Sequence, residues 1–487
     1  MTTPVLLGDY AAALPEIVQP WAPLLPPVAD DGPAPRLVAA NDALAGDLGI
    51  DPAWLGSAQA LAVLGAREVL PGSTPVAQAY AGHQFGGFSP LLGDGRAVVL
   101  GEVRDRHGAL RDIALKGSGR TAFARGGDGR AVLGPVLREY LFGEAMHALG
   151  IPTTRALAAV TTGDRVFRDG TMVPGAVLTR VAASHLRVGT FEVVARSLQP
   201  ELRATLLPRL LAYAAARHHP GADGALGFLD AVVTAQAELI ARWMAVGFVH
   251  GVMNTDNTTI SGETIDYGPC AWLERYDENT VFSSIDTGGR YRFGHQPAIA
   301  VWNLSRLAET VLPLIGSDPQ RAIADATAVL DAFGERYHAA WLELMRTKLG
   351  LPDAQPQDER LIADLLAAMA GAQADYTTTW RLLADHLRGG TDNVPGVQPD
   401  WLARWEARLA GEPSATAAAM DAVNPAYVPR NHLVEGALTA ALAGDLGPFE
   451  RLLAAISDPY AARPGLADLA EPAPSGFTER HVTYCGT

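Results

Sequence analysis

The chain has 487 residues, 48% of them apolar and 19% charged, which fits a soluble globular protein of two to four domains or one large bilobal enzyme. Its 53 acidic against 38 basic residues give a net charge of -15, which excludes a general nucleic-acid binder but leaves room for a local basic pocket for phosphates. No uncharged apolar run reaches the ~18 residues of a membrane span, residues 1–31 lack the pattern of a signal or transit peptide, and Cys270 and Cys485 alone make no disulfide framework. A cytoplasmic protein with no membrane or nucleic-acid partner is therefore expected.

In chain order, residues 1–75 are rich in Pro and Ala and read as an irregular arm, with short helices near 40–48 and 58–64, that packs on the first lobe. Tyr80-Ala81-Gly82-His83-Gln84-Phe85-Gly86-Gly87-Phe88 is too rich in glycine for a helix. Gly93-Asp94-Gly95-Arg96 is either an ordinary Asp-Gly turn or a place where backbone N–H groups and Arg96 approach a phosphate. Residues 97–103 and 112–116 alternate as strands around a His107-Gly108 turn, and Lys116 ends the second. Only Lys116 and Lys348 break the arginine usage of the chain, so Lys116 stands out as a compact point charge in a chosen place.

The loop 117–130 carries Arg120, Arg125 and Arg130 among glycines, reads as unpacked, and suits a triphosphate or else plain solvent. A helix follows from Gly134-Pro135 to Gly150, with Glu139 or Glu144 as the partner for Lys116. Two strands then span 155–181, and Arg180 and Arg187 flank the exit from this small sheet. From about 200 the chain is mostly helical, with helices expected at 201–217, 228–246, 302–315, 318–345, 358–371, 377–388, 398–410 and 432–456. Strands first and helices after define an α+β class with a β-rich lobe and a helical lobe.

The most informative stretch is His250-Gly251-Val252-Met253-Asn254-Thr255-Asp256-Asn257, answered by Asp266-Tyr267-Gly268. A Thr258–Ile265 hairpin is expected to fold Asp266 back towards Asp256. Asp256, Asn257 and Asp266 offer hard oxygen ligands that suit Mg²⁺ or Mn²⁺, although Asp and Asn also simply cap loops. The order resembles a protein-kinase core in which Asp-Tyr-Gly stands for Asp-Phe-Gly, but Asp256 and Asn257 are adjacent where kinases space them.

These stretches, with Leu115-Lys116-Gly117-Ser118-Gly119 and Ile265-Asp266-Tyr267-Gly268-Pro269, closely resemble the selenoprotein O family of kinase-fold protein adenylyltransferases. The resemblance is dense over 75–310 and reaches the C-terminal cysteine. It implies a bilobal protein-kinase-like fold: an extension 1–75, a nucleotide-binding lobe 76–190, a helical lobe 191–456 with the catalytic loop and metal site, and a tail 457–487. It implies ATP bound inverted relative to kinases, Asp256 as base for Ser, Thr or Tyr hydroxyls of protein substrates, and Asn257 and Asp266 as metal ligands. Lys116, supported by Glu139, holds phosphate, and Gly93, Gly95, Arg96, Asp128, Gly129, Arg180 and Arg187 line the nucleotide. Other members carry selenocysteine where this chain has Cys485. Since Cys270 follows the Asp-Tyr-Gly motif, a regulatory Cys270–Cys485 disulfide is one expectation and two unrelated thiols the other. Phosphoryl transfer and a non-catalytic pseudokinase are the rival functions.

Overall fold

The computed structural model describes residues 4–24, 34–168, 170–391 and 393–484. It is mixed α/β, with a sheet built early in the chain and a helical remainder. Strands β1 (Val18–Pro20), β2 (Arg36–Ala40), β3 (Val76–Gln78), β4 (Gly82–Gln84), β5 (Gly87–Ser89), β6 (Ala97–Arg104), β7 (Leu110–Lys116), β8 (Ala131–Val132), β9 (Arg155–Arg168) and β10 (Thr171–Ala182) come first. The main sheet runs β1-β3-β6-β7-β10-β9-β2, all antiparallel, with β8 added to β10 and β4–β5 a separate hairpin.

The arm is more ordered than its composition predicts. Its two strands form both edges of the sheet, β1 on β3 and β2 on β9. Leu7 also bridges Glu102 of β6, and Glu102 accepts the backbone N–H groups of Asp9 and Tyr10 at 2.9 Å. A side chain at Gly101 would stand 2.4 Å from the Leu7 carbonyl, so glycine there lets the arm lie against the sheet. Covered edges also protect the sheet from pairing with other chains.

The helix Leu133–Ala148 packs on β9 and β10 and is covered from behind by Asn431–Leu442 and Gly447–Ile456. It is therefore buried nearly all round, Arg138, Glu139 and Glu144 included, where the sequence shows a single apolar stripe. The expected helix 432–456 is two helices, because Gly444 turns the chain at a φ of 95°. A further helix at Pro413–Asp421 carries no apolar stripe that would have announced it.

Gly224–Val246, Gln296–Ile315 and Pro319–Lys348 pack on one another to form the helical core. The first two have the length and hydropathy to cross a membrane, yet here their apolar faces are spent on each other and on neighbouring helices. Gly247 ends the first in a left-handed turn (φ 75°), with the Tyr376 ring where a Cβ would be. The chain then enters β11 (Phe248–Val249), which pairs with β12 (Ala271–Trp272) and ties together the base of the loop 250–270.

The expected Thr258–Ile265 hairpin does not form. Thr259 bridges Arg187 and Thr264 bridges Thr153, so each arm pairs with a distant segment and not with the other. Two short threonine-rich runs are too weak to hold a ladder alone and are recruited by stronger neighbours.

Candidate active site

Lys116 ends β7 with its ammonium 2.6 Å from Glu139 Oε2, so the expected ion pair is present. Glu139 also accepts Arg180 Nε at 2.8 Å, and Lys116 and Arg180 both bond Asp266 Oδ1, Arg180 at 3.0 Å. Glu144, the other candidate, binds Arg155 and Asn41 instead. Burial alone would raise the pKa of Asp266, but Lys116, Arg180 and Arg96 outweigh it and hold the carboxyl well below its usual range. Glu139 is lowered by Arg180 and Lys116 against the same burial penalty. Both are therefore ionised at neutral pH.

Asp266 sits at a φ of 67°, strained for a residue with a side chain. The strain is held by its surroundings. Tyr267 hydrogen-bonds Thr153 and packs near Phe142 and Phe248, and Arg138 donates to the carbonyls of Gly268 (3.2 Å) and Cys270.

The loop 250–257 is held as firmly. His250 is buried: its Nε2 lies 3.0 Å from the Ile265 carbonyl, its ring stacks on Trp243, and its backbone N–H reaches Gln296. Burial lowers its pKa, so it is a neutral post and not an acid. Asn303 donates to Met253 O and Thr258 Oγ1. Glu192, fully buried, binds His83 Nδ1 and the hydroxyl of Thr255, and that hydroxyl accepts His83 N–H at 2.7 Å. His83, Glu192 and Thr255 are thus positioning residues for Asp256. They are 109 and 172 positions from His83 in sequence, and no local pattern marks them.

Asp256 lies in a one-turn 3₁₀ helix, Thr255–Asn257, and is 9% exposed. Its Oδ1 has no hydrogen-bond partner among the described residues, and Oδ2 is 3.5 Å from Gln84 Nε2. Burial pushes its pKa up to about 6, with Arg187 pulling the other way. A buried carboxyl with a free oxygen and a pKa near neutrality is poised to accept a proton. Asn257 donates Nδ2 to Val252 O at 3.0 Å, and its Oδ1 makes no hydrogen bond among the described residues. Arg187 is buried over the Tyr80 ring, 3.8 Å from Asp94, and its charge reaches both Asp256 and Asp266.

A cavity of about 640 Å³ has Arg96, Lys116, Glu139, Asp266 and Gly268 on one side and Leu438, Phe477 and Tyr484 on the other; Asp256 and Asn257 are not among its walls. Arg180 and Arg187 are buried. The glycines have packing reasons of their own. A side chain at Gly93 would strike the Phe123 ring at 2.3 Å, Gly95 faces the Phe123 carbonyl, and Gly129 lies against Gly119. The loop 117–130 is packed in part, more than expected: Phe123 is buried and Ser118 bridges Arg130, while Arg120 and residues 125–128 are exposed. Arg130 pairs with Asp164, Arg120 turns onto the carbonyls of its own loop, and Asp128 pairs with Arg168 away from the cavity.

Cys270 is fully buried, and burial pushes its thiol up to about 12, so it is protonated and unreactive in this state. Cys485 lies outside the described residues. The tail before it is anchored near Cys270, with Thr483 donating to Pro269 O at 2.6 Å.

One carboxyl, Asp256, has a raised pKa and the other, Asp266, is clamped ionised by cations, an arrangement suited to phosphate chemistry. A model of the family described as Protein adenylyltransferase SelO matches residues 26–457, and the chain belongs to that family. Relatives bear the name Protein nucleotidyltransferase YdiU: one from Cereibacter sphaeroides is 58% identical over 465 positions, covering 93% of this chain and 95% of the relative. One from Mycobacterium sp. is 53% identical and covers all of both chains, and one from Mycolicibacterium smegmatis is 52% identical over 99% of this chain and 98% of its own. The chain is thus a nucleotidyltransferase, and neither the kinase nor the non-catalytic reading is favoured.

Proposed function

We propose that the chain is a bilobal, protein-kinase-like enzyme that transfers AMP from ATP to Ser, Thr or Tyr hydroxyls of target proteins, with 76–190 as the nucleotide lobe and 191–456 as the catalytic lobe. The observation that carries this is the opposed state of two carboxylates. Asp256 is pushed up to about 6 with one oxygen unbonded, while Asp266 is clamped ionised by Lys116, Arg180 and Arg96. Environments that drive paired acids apart mark separate chemical roles.

In this reading Asp256 takes the proton of the acceptor hydroxyl, and Arg187 stabilises its ionised form. Lys116, steadied by Glu139, binds phosphate together with Arg96, Arg180 and Arg187, while Gly93, Gly95, Asp128 and Gly129 shape the loops beside it. These cations gather on Asp266, which supports an inverted ATP whose γ-phosphate lies among them and whose α-phosphorus meets the hydroxyl. The leaving pyrophosphate then gains charge among fixed cations, which lowers the barrier.

Asn257 Oδ1 and Asp266 Oδ2 make no hydrogen bond among the described residues and are hard oxygen donors, so they fit a Mg²⁺ or Mn²⁺ ion. No cluster of three or more His, Cys, Asp or Glu side chains is found among the described residues, and two ligands suffice for an ion that keeps water and phosphate oxygens. When bound, such an ion neutralises phosphate charge. Intact mass after incubation with ATP, Mg²⁺ and acceptor proteins tests the reading. A gain of ~329 Da supports it, and a gain of ~80 Da replaces it with phosphoryl transfer.

A further inference from the structure

The hairpin β4–β5 is the part of the site that the reaction leaves unexplained. Its register pairs Gly82 with Ser89, His83 with Phe88 and Gln84 with Gly87, so Phe85-Gly86 is a two-residue turn. Both turn residues have positive φ, 51° and 87°, the geometry that favours Asn-Gly. A phenylalanine there is strained. It is nonetheless 39% exposed, and Phe88 beside it is 40% exposed. The turn does not call for an aromatic ring at 85, and the ring's one face rests on the buried Tyr291 while the rest stays open.

The hairpin is fixed to the catalytic loop. Gln84 reaches Asp256, and Phe85 N–H donates to Asn254 Oδ1 at 3.2 Å and to Tyr291 OH at 3.0 Å. Across the turn stands Arg290, its Cζ 3.8 Å from where a Cβ on Gly86 would be and 4.7 Å above the Trp302 ring. Among the described residues no carboxylate lies within 4 Å of this guanidinium, and its Nε has no hydrogen-bond partner. The nearby carboxylates are engaged elsewhere. Glu309 takes Arg196 and Arg306, and both oxygens of Asp286 accept backbone N–H groups, from Arg290 and Tyr291. The Arg290 side chain also hydrogen-bonds Tyr291, and a half-buried arginine over an aromatic face with no paired carboxylate among the described residues can still receive one.

We propose that Phe85, Phe88 and Arg290 form the acceptor-recognition surface, which selects protein segments carrying Asp or Glu within about three residues of the modified hydroxyl. The spacing follows from the hairpin. Gln84, which reaches Asp256, directly precedes the Phe85-Gly86 turn that faces Arg290, so the cation stands within two residues of that contact along the hairpin. The aromatic rings take the apolar flank of the segment, and Arg290 takes its carboxylate. This inference rests on the transfer reading above and adds the class of acceptor.

The test uses the full chain, ATP labelled at the α-phosphate, Mg²⁺, and synthetic peptides with a single Ser, Thr or Tyr flanked by Glu, Ala or Lys. Glu-flanked peptides are expected to show a KM about tenfold or more below Lys-flanked ones, the scale of one charge-assisted bond. Arg290→Gln raises the KM for Glu-flanked peptides to that for Ala-flanked ones, with the KM for ATP unchanged, and Arg290→Glu reverses the order. Phe85→Asn, which suits the turn, raises the KM for every peptide with no loss of thermal stability. Transfer that ignores flanking charge overturns the inference alone. So does an Arg290→Gln effect on the KM for ATP, which assigns the cation to the nucleotide, or self-modification of the chain with no acidic peptide labelled. No α-label on any peptide or on the chain itself overturns the transfer reading as well.

Discussion

Replacing Asp256 with Asn should make the protein more stable and inactive at once. The carboxyl is 9% exposed and its pKa is pushed up from 3.8 to about 6. A raised carboxyl pKa means the folded chain holds a proton more tightly than the unfolded one. Stability is therefore lost as pH rises from about 4 to about 6, and above that window the penalty is fully present. It amounts to on the order of 3 kcal/mol. Asn removes the charge and keeps the shape, so at pH 7.5 the variant should gain up to that amount and at pH 4 almost nothing. Unfolding entropy scales with length, so for 487 residues each kcal/mol moves Tm by only about 1 °C, and the expected gain is about 3 °C at pH 7.5. Calorimetry of both proteins across pH 4–8 measures it. Transfer activity should fall by about 10²–10⁴, the contribution of a general base, and in the native enzyme kcat/KM should rise with pH to a plateau above about 6. A variant less stable than the native chain at pH 7.5, or a stability gap that does not change with pH, would refute the reasoning.

Other outcomes follow from the same structure. Glu139→Ala leaves Lys116 and Arg180 without their shared anion, and Arg180 is almost wholly buried, so urea denaturation should show a loss of about 3–5 kcal/mol. Glu139→Gln should cost less, because the amide still hydrogen-bonds. Lys348 is buried 4.4 Å from the Trp380 ring with no carboxylate partner among the described residues, and burial lowers its pKa from 10.5 to about 7. The unfolded chain then binds that proton more tightly. Stability should rise with pH between about 7 and 10, and Lys348→Met should gain at most on the order of 4 kcal/mol at pH 7, less whatever the cation–ring contact returns. The gain should shrink by pH 9.5 in thermal melts. Chelation of divalent ions should stop transfer, with recovery on adding Mg²⁺ or Mn²⁺. Asp266→Ala should not recover at limiting metal; full recovery would remove Asp266 from the metal site.

Much of this was legible because it is local. β7 carries a short apolar run, Ile113-Ala114-Leu115, that ends at Lys116, and Pro135 and Gly150 punctuate a helix whose Glu139 meets that lysine. The strand-first, helix-later order likewise needs only periodicity. The failures are tertiary. Thr258–Ile265 reads as a hairpin from its own residues, yet its two arms pair with Arg187 and Thr153, which no window on the sequence contains. The arm reads as irregular because proline hides two short edge strands. The glycines of 93 and 129 read equally as phosphate cradles or turns, and only the Phe123 ring and the Gly119 backbone against them show the packing demand. The His83–Glu192–Thr255 brace joins three distant segments and carries no signal of spacing at all.

The central claim is that displacement occurs at the α-phosphorus. Parallel reactions with ATP labelled at the α- or the γ-phosphate, in the presence of Mg²⁺ and an acceptor protein, test it most directly. The account predicts that α-label enters protein and γ-label leaves as pyrophosphate. Transfer of γ-label to protein, with the α-label left on a free nucleotide, would contradict it.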